Sequence, residues 1–307
     1  MKNVSLRQLR IFATVGKHLS FSRAAEELAL TAPAVSMQIK DLEEQVGMLL
    51  FDRSNRTVSL TTVGEYLLAH ARKVLAAMRD AEDMVANLRG LKGGTLDIVM
   101  ASTATYFVPR LLAQFRKEHP QIEIRLQVAE NRLQIAQVMQ RGEAELAVMG
   151  RPPSEWASRA EPFAWNPLVL VTDIDHPFAK SGLVPPQALA REAFILREPG
   201  SSTREAIDEF MQAHHIRATA VMQMSSNEAI KQAVIAGMGV SLLSVHAIGL
   251  ELRHGLLAAP EVQGLPVMHR WHLVRNAGKV LSPMAEAFRY YVLEEGEILL
   301  KKATLSN

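Results

Sequence analysis

The stretch SRAAEELALTAPAVSMQIKDLEEQVGMLLFDRSNR, from Ser22 to Arg56, decides how this chain is read. It divides into a short helix, a break at Ala29 to Thr31, a second helix and a basic segment. Thr31 suits an N-cap, Pro33 is tolerated in a first turn, and Gly47 is a stop signal. At the helical period Val35, Ile39, Leu42 and Val46 form one stripe, and Pro33, Ser36, Met37 and Lys40 form the opposite face. The first set packs and the second is presented. Two short helices joined by a tight turn and followed by a basic wing is the layout that sets a helix into the DNA major groove. In such a groove Ser36 can bond a base edge, Pro33 and Met37 offer apolar surface to thymine methyls, and Lys40 reaches a phosphate. Arg53 and Arg56 would flank the groove as phosphate contacts. Ala24 and Ala25 let the preceding helix approach closely, with Leu28 facing the same core. The spacing by itself also fits two amphipathic helices with ordinary charge on their outer faces.

Working outward, a first helix is predicted from Ser5 to about Gly16, with Leu6, Leu9 and Phe12 turned inward, and Val58 to Leu60 as the return strand of the wing. From Thr62 to Gly90 there is no proline, and Val63, Leu67, His70, Val74, Ala77, Ala81, Met84 and Leu88 recur in steps of four and three. That is a heptad seam. A helix of this extent is about 40 Å long and wants a partner, so dimerisation is predicted. Packing on its own chain is the alternative. Gly90, Lys92, Gly93 and Gly94 then form a hinge.

Beyond the hinge, short β-branched runs (96–100, 122–128, 146–149, 168–172, 194–196, 221–224, 240–243) alternate with helical stretches (108–118, 133–141, 202–214, 227–236, 245–253). Alternation of this kind implies parallel sheets covered by helices, and seven or more strands suit two small α/β lobes. Ligands of open α/β sheets sit beyond the carboxyl ends of strands, where helix N-termini offer backbone N–H groups. Ser102, Thr103 and Thr105 follow the first strand of lobe one and Asn131 the second. In lobe two, Arg197, Gly200, Ser201, Ser202 and Thr203 occupy the equivalent turn. These groups describe a cleft rich in hydroxyls and donors with a fixed cation, for which an anion is the natural guest. Arg197 or Arg204 could grip it with a bidentate fork. Taken singly, each hydroxyl reads better as a helix cap with no ligand; it is their convergence from two lobes that points to a cleft.

With 307 residues and 48% apolar content, the chain can build two or three compact units. It carries no cysteine, which excludes disulfides and thiolate metal sites. No apolar run is long enough to span a bilayer and Met1 to Gly16 lacks a secretory core, so a cytoplasmic location and no membrane partner are expected. The net charge is only +2, and the first 60 residues hold eight Lys or Arg against six Asp or Glu, so local placement rather than bulk charge argues for nucleic acid. Catalysis finds little support: there is no Gly-x-Ser-x-Gly elbow and no Walker-type phosphate loop. His269 and His272, at odd spacing in a strand, would lie on opposite faces, and His214-His215 ends a helix, so neither a metal site nor a cofactor is expected.

The pattern Leu-Arg-Ile-Phe at 9–12, Phe-Ser-Arg-Ala-Ala-Glu-Glu-Leu at 21–28, Pro-Ala-Val-Ser at 33–36, Ile-Lys-Asp-Leu-Glu-Glu at 39–44, Gly47, Leu-Phe-Asp-Arg at 50–53 and Leu-Thr-Thr-Val-Gly at 60–64 resembles the N-terminal domain of LysR-type transcriptional regulators. Two positions depart from that family, which favours Gln where Ala32 stands and Arg where Met37 stands, so operator preference does not transfer. Ala32, Met37 and Gln38, with Ala-Ser-Thr-Ala-Thr-Tyr-Phe-Val-Pro at 101–109 and Arg-Glu-Pro-Gly-Ser-Ser-Thr-Arg at 197–204, resemble the branch that controls carbon dioxide fixation (RuBisCO) operons.

The resemblance implies an α/β chain with an all-α N-terminus: a winged helix-turn-helix domain (1–60), a linker helix and hinge (61–92), and an effector-binding domain of two Rossmann-like lobes of periplasmic-binding-protein type (93–307). Lobe one would take about 93–163 and 269–307, lobe two about 164–268, with crossings near Pro162–Pro167 and Pro266–Arg270. DNA contact is implied for Ser22, Arg23, Thr31, Ala32, Pro33, Ser36, Met37, Lys40, Arg53 and Arg56. The effector role falls on Ser102, Thr103, Asn131, Arg197, Ser201, Ser202 and Thr203, and the effector would be a small phosphorylated or carboxylated metabolite. The implied partners are double-stranded promoter DNA, that effector, and further copies forming a homodimer and then a homotetramer, with RNA polymerase a candidate. A two-lobed solute-binding protein would explain the lobes but leave the first 90 residues without a purpose.

Overall fold

The computed structural model describes residues 4–52, 57–88, 94–154, 156–217 and 219–305, without side-chain detail for 79–88 and 302–305. Two compact units emerge, residues 1–85 and 86–307. Arg53 and Arg56 lie outside the described residues, as do the side chains of Ala81, Met84 and Leu88.

The first unit opens with α1 (Leu6–His18), capped by Ser5, whose side chain accepts from the Gln8 N–H while Gln8 reaches back to the Ser5 N–H. Next come α2 (Phe21–Glu27), α3 (Ala32–Val46) and the two-residue strands β1 (Phe51–Asp52) and β2 (Ser59–Leu60), paired antiparallel. Then α4 (Thr62–Leu88) begins. Ile11, Phe12, Val15, Ala24, Ala25, Val35, Ile39 and Leu42 form one core, joined by Leu50, Phe51, Leu68 and Ala71. Leu6 is not part of it: it is 42% exposed, because the inward stripe of α1 runs through Gln8, Ile11, Phe12 and Val15 instead. The heptad expectation for α4 is modified too. Leu68 and Ala71 seat the helix on its own unit, with Val63 and Leu67 partly buried there, while Val74 and Met78 remain exposed.

The second unit begins with β3 (Thr95–Ala101), a 3-10 turn (Ser102–Tyr106), α5 (Val108–Glu118), β4 (Glu123–Ala129), α6 (Arg132–Arg141) and β5 (Leu146–Met149). The long strand β6 (Ser158–Val171) follows, then β7 (Ala193–Arg197), α7 (Ser202–Ala213), β8 (Thr219–Met224) and α8 (Asn227–Ile235). It closes with β9 (Ser241–Ser244), α9 (Val245–Arg253), β10 (Val267–Asn276) and α10 (Pro283–Leu305). Six strands hydrogen-bond in the order β4-β3-β5-β10-β6-β9, and the β7-β8 pair attaches through the Phe194–Val240 bridge.

The sheet is mixed rather than parallel. The β3–β4, β3–β5 and β7–β8 pairs are parallel, but β10 runs antiparallel to β5 and β6, and β6 antiparallel to β9. The two crossings, expected near Pro162–Pro167 and Pro266–Arg270, run through the long strands β6 and β10. Pro162 sits where the β6–β10 register shifts, and Pro167 lies one residue before β9 pairing starts, both places where a missing N–H is tolerated.

Each lobe buries both sheet faces. In lobe one, Leu96, Ile98 and Met100 face a core with Phe115, Trp271 and Phe288, while Val99 faces Ile135, Met139 and Val274. In lobe two, Phe194 and Leu196 face Phe210, and Ile195 faces Ile230 and Ile248. Strands covered on both sides read as continuous apolar runs, which is why they were legible.

Candidate DNA-reading face and effector cleft

In the first unit, the Thr31 side chain accepts from the Ala34 N–H, and Gly47 ends α3 in the left-handed region at φ 78°. Val35, Ile39 and Leu42 are fully buried. On the opposite side Pro33 is exposed, Met37 is 58% exposed, Ser36 is half-buried, and the Lys40 side chain is 74% exposed with a loose pair to Glu44 at 3.8 Å. Ser22, Arg23 and Thr31 are exposed, whereas Ala32 packs partly against the core. A group the sequence reading passed over fixes this geometry: buried Glu43 accepts from the N–H groups of Leu50 (2.8 Å) and Phe51 (3.2 Å), tying α3 to the wing.

In the second unit, the strand-to-helix turns of the two lobes meet at Arg197, at the end of β7. It is 1% exposed and every N–H of its fork is engaged. Glu198 takes two bonds at 2.7 Å each, Asn227 Oδ1 accepts one at 2.8 Å, and from lobe one Thr103 Oγ1 (3.4 Å) and Ser102 Oγ (3.3 Å) accept the others. Asn227 also donates to Thr103 Oγ1 at 2.9 Å. Arg197 is thus a strut between lobes, its charge balanced by Glu198.

The adjoining cleft is lined by Ser102, Thr103, Arg197, Ser201, Ser202 and Thr203 of the expected set. Asn131 is not in its lining: it stands at the start of α6, where its side chain accepts from the Gln134 N–H at 3.0 Å. Arg204 turns away to Asp208, with both contacts at 2.9 Å, and donates to the Arg197 carbonyl. Gly150 brings lobe one close, since a Cβ there would stand 2.9 Å from Ser202 Oγ. Residues that sequence reasoning missed line the same cleft: Glu130, Arg132, Arg151 and Glu205. Arg132 lies beside Asn131 at a strand-to-helix turn, a signal that could have found it.

A second, larger cavity of about 510 Å³ lies by α5, α8 and α9. There buried Lys231 bonds Glu228 (2.6 Å), Glu251 (2.7 Å) and the Ala247 carbonyl (3.1 Å), and Tyr106 donates to Glu228 at 2.7 Å. Burial, with the Glu228 carboxylate second, pushes the Tyr106 phenol far up. Burial raises Glu228 as well, but hydrogen bonds from Lys231 and Tyr106 outweigh it and hold the carboxyl below its usual range. Desolvation lowers His246, His269 and His272, so these imidazoles favour the neutral form. Among the described residues no cluster is arranged to hold a metal ion, and no helix is long and apolar enough to cross a membrane.

The chain is similar to known proteins over most of its length. The chain is 45% identical over 295 residues (96% of this chain, 92% of the relative) to the HTH-type transcriptional regulator CfxR of Cupriavidus necator. It is 43% identical over 293 residues (95% and 97%) to the RuBisCO operon transcriptional regulator of Allochromatium vinosum. The solved regulatory domain of CcmR from Synechocystis PCC6803, in complex with 2-PG, superposes with a TM-score of 0.62 at 39% identity, covering 66% of this chain and 96% of that one. Residues 6–65 match the bacterial regulatory helix-turn-helix proteins of the lysR family, and residues 89–297 match the LysR substrate binding domain. The chain belongs to the LysR family of transcriptional regulators.

Proposed function

We propose that this regulator binds promoter DNA of carbon fixation operons and that a small anionic metabolite, phosphorylated or carboxylated, modulates its binding or the bend it imposes. The observation that carries the DNA half is the outward face of α3, with Pro33, Met37 and Lys40 exposed while Val35, Ile39 and Leu42 are buried. Ser22, Arg23, Thr31, Ala32 and Ser36 belong to the same contact set, as do Arg53 and Arg56, which lie outside the described residues. Residues 1–60 would read DNA, 61–92 link and dimerise, and 93–307 bind effector. The exposed Val74 and Met78 on α4 support pairing with a second copy, and a two-fold pair reads two half-sites. Assembly of dimers into a homotetramer follows the same reading, as does a cytoplasmic location.

The effector half is supported by the cleft of Ser102, Thr103, Arg197, Ser201, Ser202 and Thr203, where the start of α7 supplies N–H groups suited to an anion. Asn131 acts there only through the placement of α6. The 2-PG complex of the CcmR regulatory domain favours a phosphorylated ligand. By linkage, a ligand that binds one arrangement of the lobes better than another shifts the population by that differential affinity. The experiment is an operator footprint and bend measurement on the full chain, with and without 2-phosphoglycolate and other carbon fixation intermediates. A changed footprint or bend is expected; identical footprints and bends across the panel would remove the effector half.

A further inference from the structure

Beside Arg197, the cleft holds a second set of charges that the sequence did not announce. Glu205, in the first turn of α7, places Oε1 at 3.4 Å from Nη2 of Arg132 and Oε2 at 3.1 Å from Nη1 of Arg151. Arg151 also meets Glu209 at 2.8 Å. Arg132 opens α6 and Arg151 follows β5, both in lobe one, whereas Glu205 and Glu209 belong to lobe two. Arg132, Arg151 and Glu205 all line the cleft that Ser201 and Ser202 line.

Because Glu198 already balances Arg197, the guanidiniums nearest to serving an incoming anion are these two, and a carboxylate of the protein's own holds both. Each oxygen of that carboxylate sits on a different arginine, the arrangement that a phosphate or carboxylate ligand would reproduce. Left in place beside such a ligand, Glu205 would repel it at short range.

We propose that Glu205 is the built-in counter-anion of the cleft, and that an anionic effector takes Arg132 and Arg151 from it. The inference rests on the anion reading of the cleft and adds the device that makes binding count: lobe-to-lobe ion pairs are exchanged for lobe-to-ligand ones. The lobes then differ in how tightly they are clasped with and without ligand, which is the differential free energy a switch requires.

The test is calorimetric titration of the full-length protein with 2-phosphoglycolate and with inorganic phosphate, comparing the native chain, Glu205→Gln, the pair Arg132→Gln with Arg151→Gln, and the triple variant. A parallel melting curve confirms that each variant folds. Removing the competing charge is expected to tighten binding on the order of tenfold. The arginine pair is expected to weaken binding by at least that factor, and Glu205→Gln is expected to lose much of its benefit in that background, because a competitor matters less when the contested groups are gone. Unchanged or weaker binding by Glu205→Gln, in a chain that still binds the ligand, overturns the proposal and leaves the cleft reading standing. No binding by either the native chain or Glu205→Gln overturns both.

Discussion

Replacing Arg197 by Met tests whether the strut between the lobes is held as described. The guanidinium is 1% exposed and spends two of its five N–H bonds on Glu198, whose side chain is itself only 15% exposed. Removing one partner of a buried pair leaves the other charge uncompensated, at a cost of about 3–5 kcal/mol. Because Glu198 keeps some access to water, the lower end is expected, about 3 kcal/mol. Asn227, Ser102 and Thr103 lose donors as well, and because their oxygens re-pair only in part with one another or with water, they account for about 1–2 kcal/mol of that loss. Arg197→Met with Glu198→Gln removes both charges, so it should recover a large part of the loss, to a deficit of about 1–2 kcal/mol from the unpaired polar groups. The assay is urea unfolding of the full chain followed by a probe in the second unit, with the double variant analysed as a cycle. A single variant within about 0.5 kcal/mol of the native chain, or a double variant worse than the sum of its parts, would refute a buried, mutually dependent pair.

Lys40→Ala should weaken operator binding and reduce the slope of log K against log salt by about 0.9 for each copy bound, the contribution of one phosphate contact per copy; an unchanged slope would take Lys40 off the backbone. Gly64→Ala would set a Cβ 2.1 Å from the Leu50 carbonyl oxygen, so the start of α4 or the wing must shift. A loss of roughly 1–3 kcal/mol from the helix-turn-helix unit is expected, read as a lower urea midpoint for operator binding. Hydrogen bonding from Arg289 holds the Glu161 carboxyl below its usual range despite burial. A folded pKa below the unfolded one means the pair stabilises above the ordinary glutamate pKa and ceases to as pH falls through the folded value. The melting difference between the native chain and Glu161→Gln should therefore shrink from pH 7 to pH 3, and a constant difference would contradict the assignment.

Local chemistry made much of the first unit readable. Thr31, Pro33 and Gly47 bounded α3 because capping and turn preferences act over a few residues, and the buried stripe of Val35, Ile39 and Leu42 followed from the 3.6-residue period alone. Leu6 misled because an apolar residue in a first turn need not fall on the inward stripe. On α4, one heptad pattern served two ends: Leu67 leans on its own unit while Val74 stays exposed, a division that depends on what lies alongside rather than on the helix.

The cleft divides along the same line. That hydroxyls and a cation gather at strand-to-helix turns was written in the order of residues, since those turns must lie at one edge of each lobe. Whether a given side chain faces inward was not. Arg197 and Arg204 are seven residues apart with the same chemistry, yet one is buried against lobe one and the other bonds Asp208 on its own helix. Glu205 meets Arg132 and Arg151 from more than fifty residues away. By itself the sequence determined the helices up to α9, though not α10, together with the apolar strands and the caps of α3, because these rest on neighbours in the chain. The folded chain decided the antiparallel crossing strands, the sealed fork of Arg197 and the clasp of Glu205, because pairings between distant segments depend on how both lobes close on their cores.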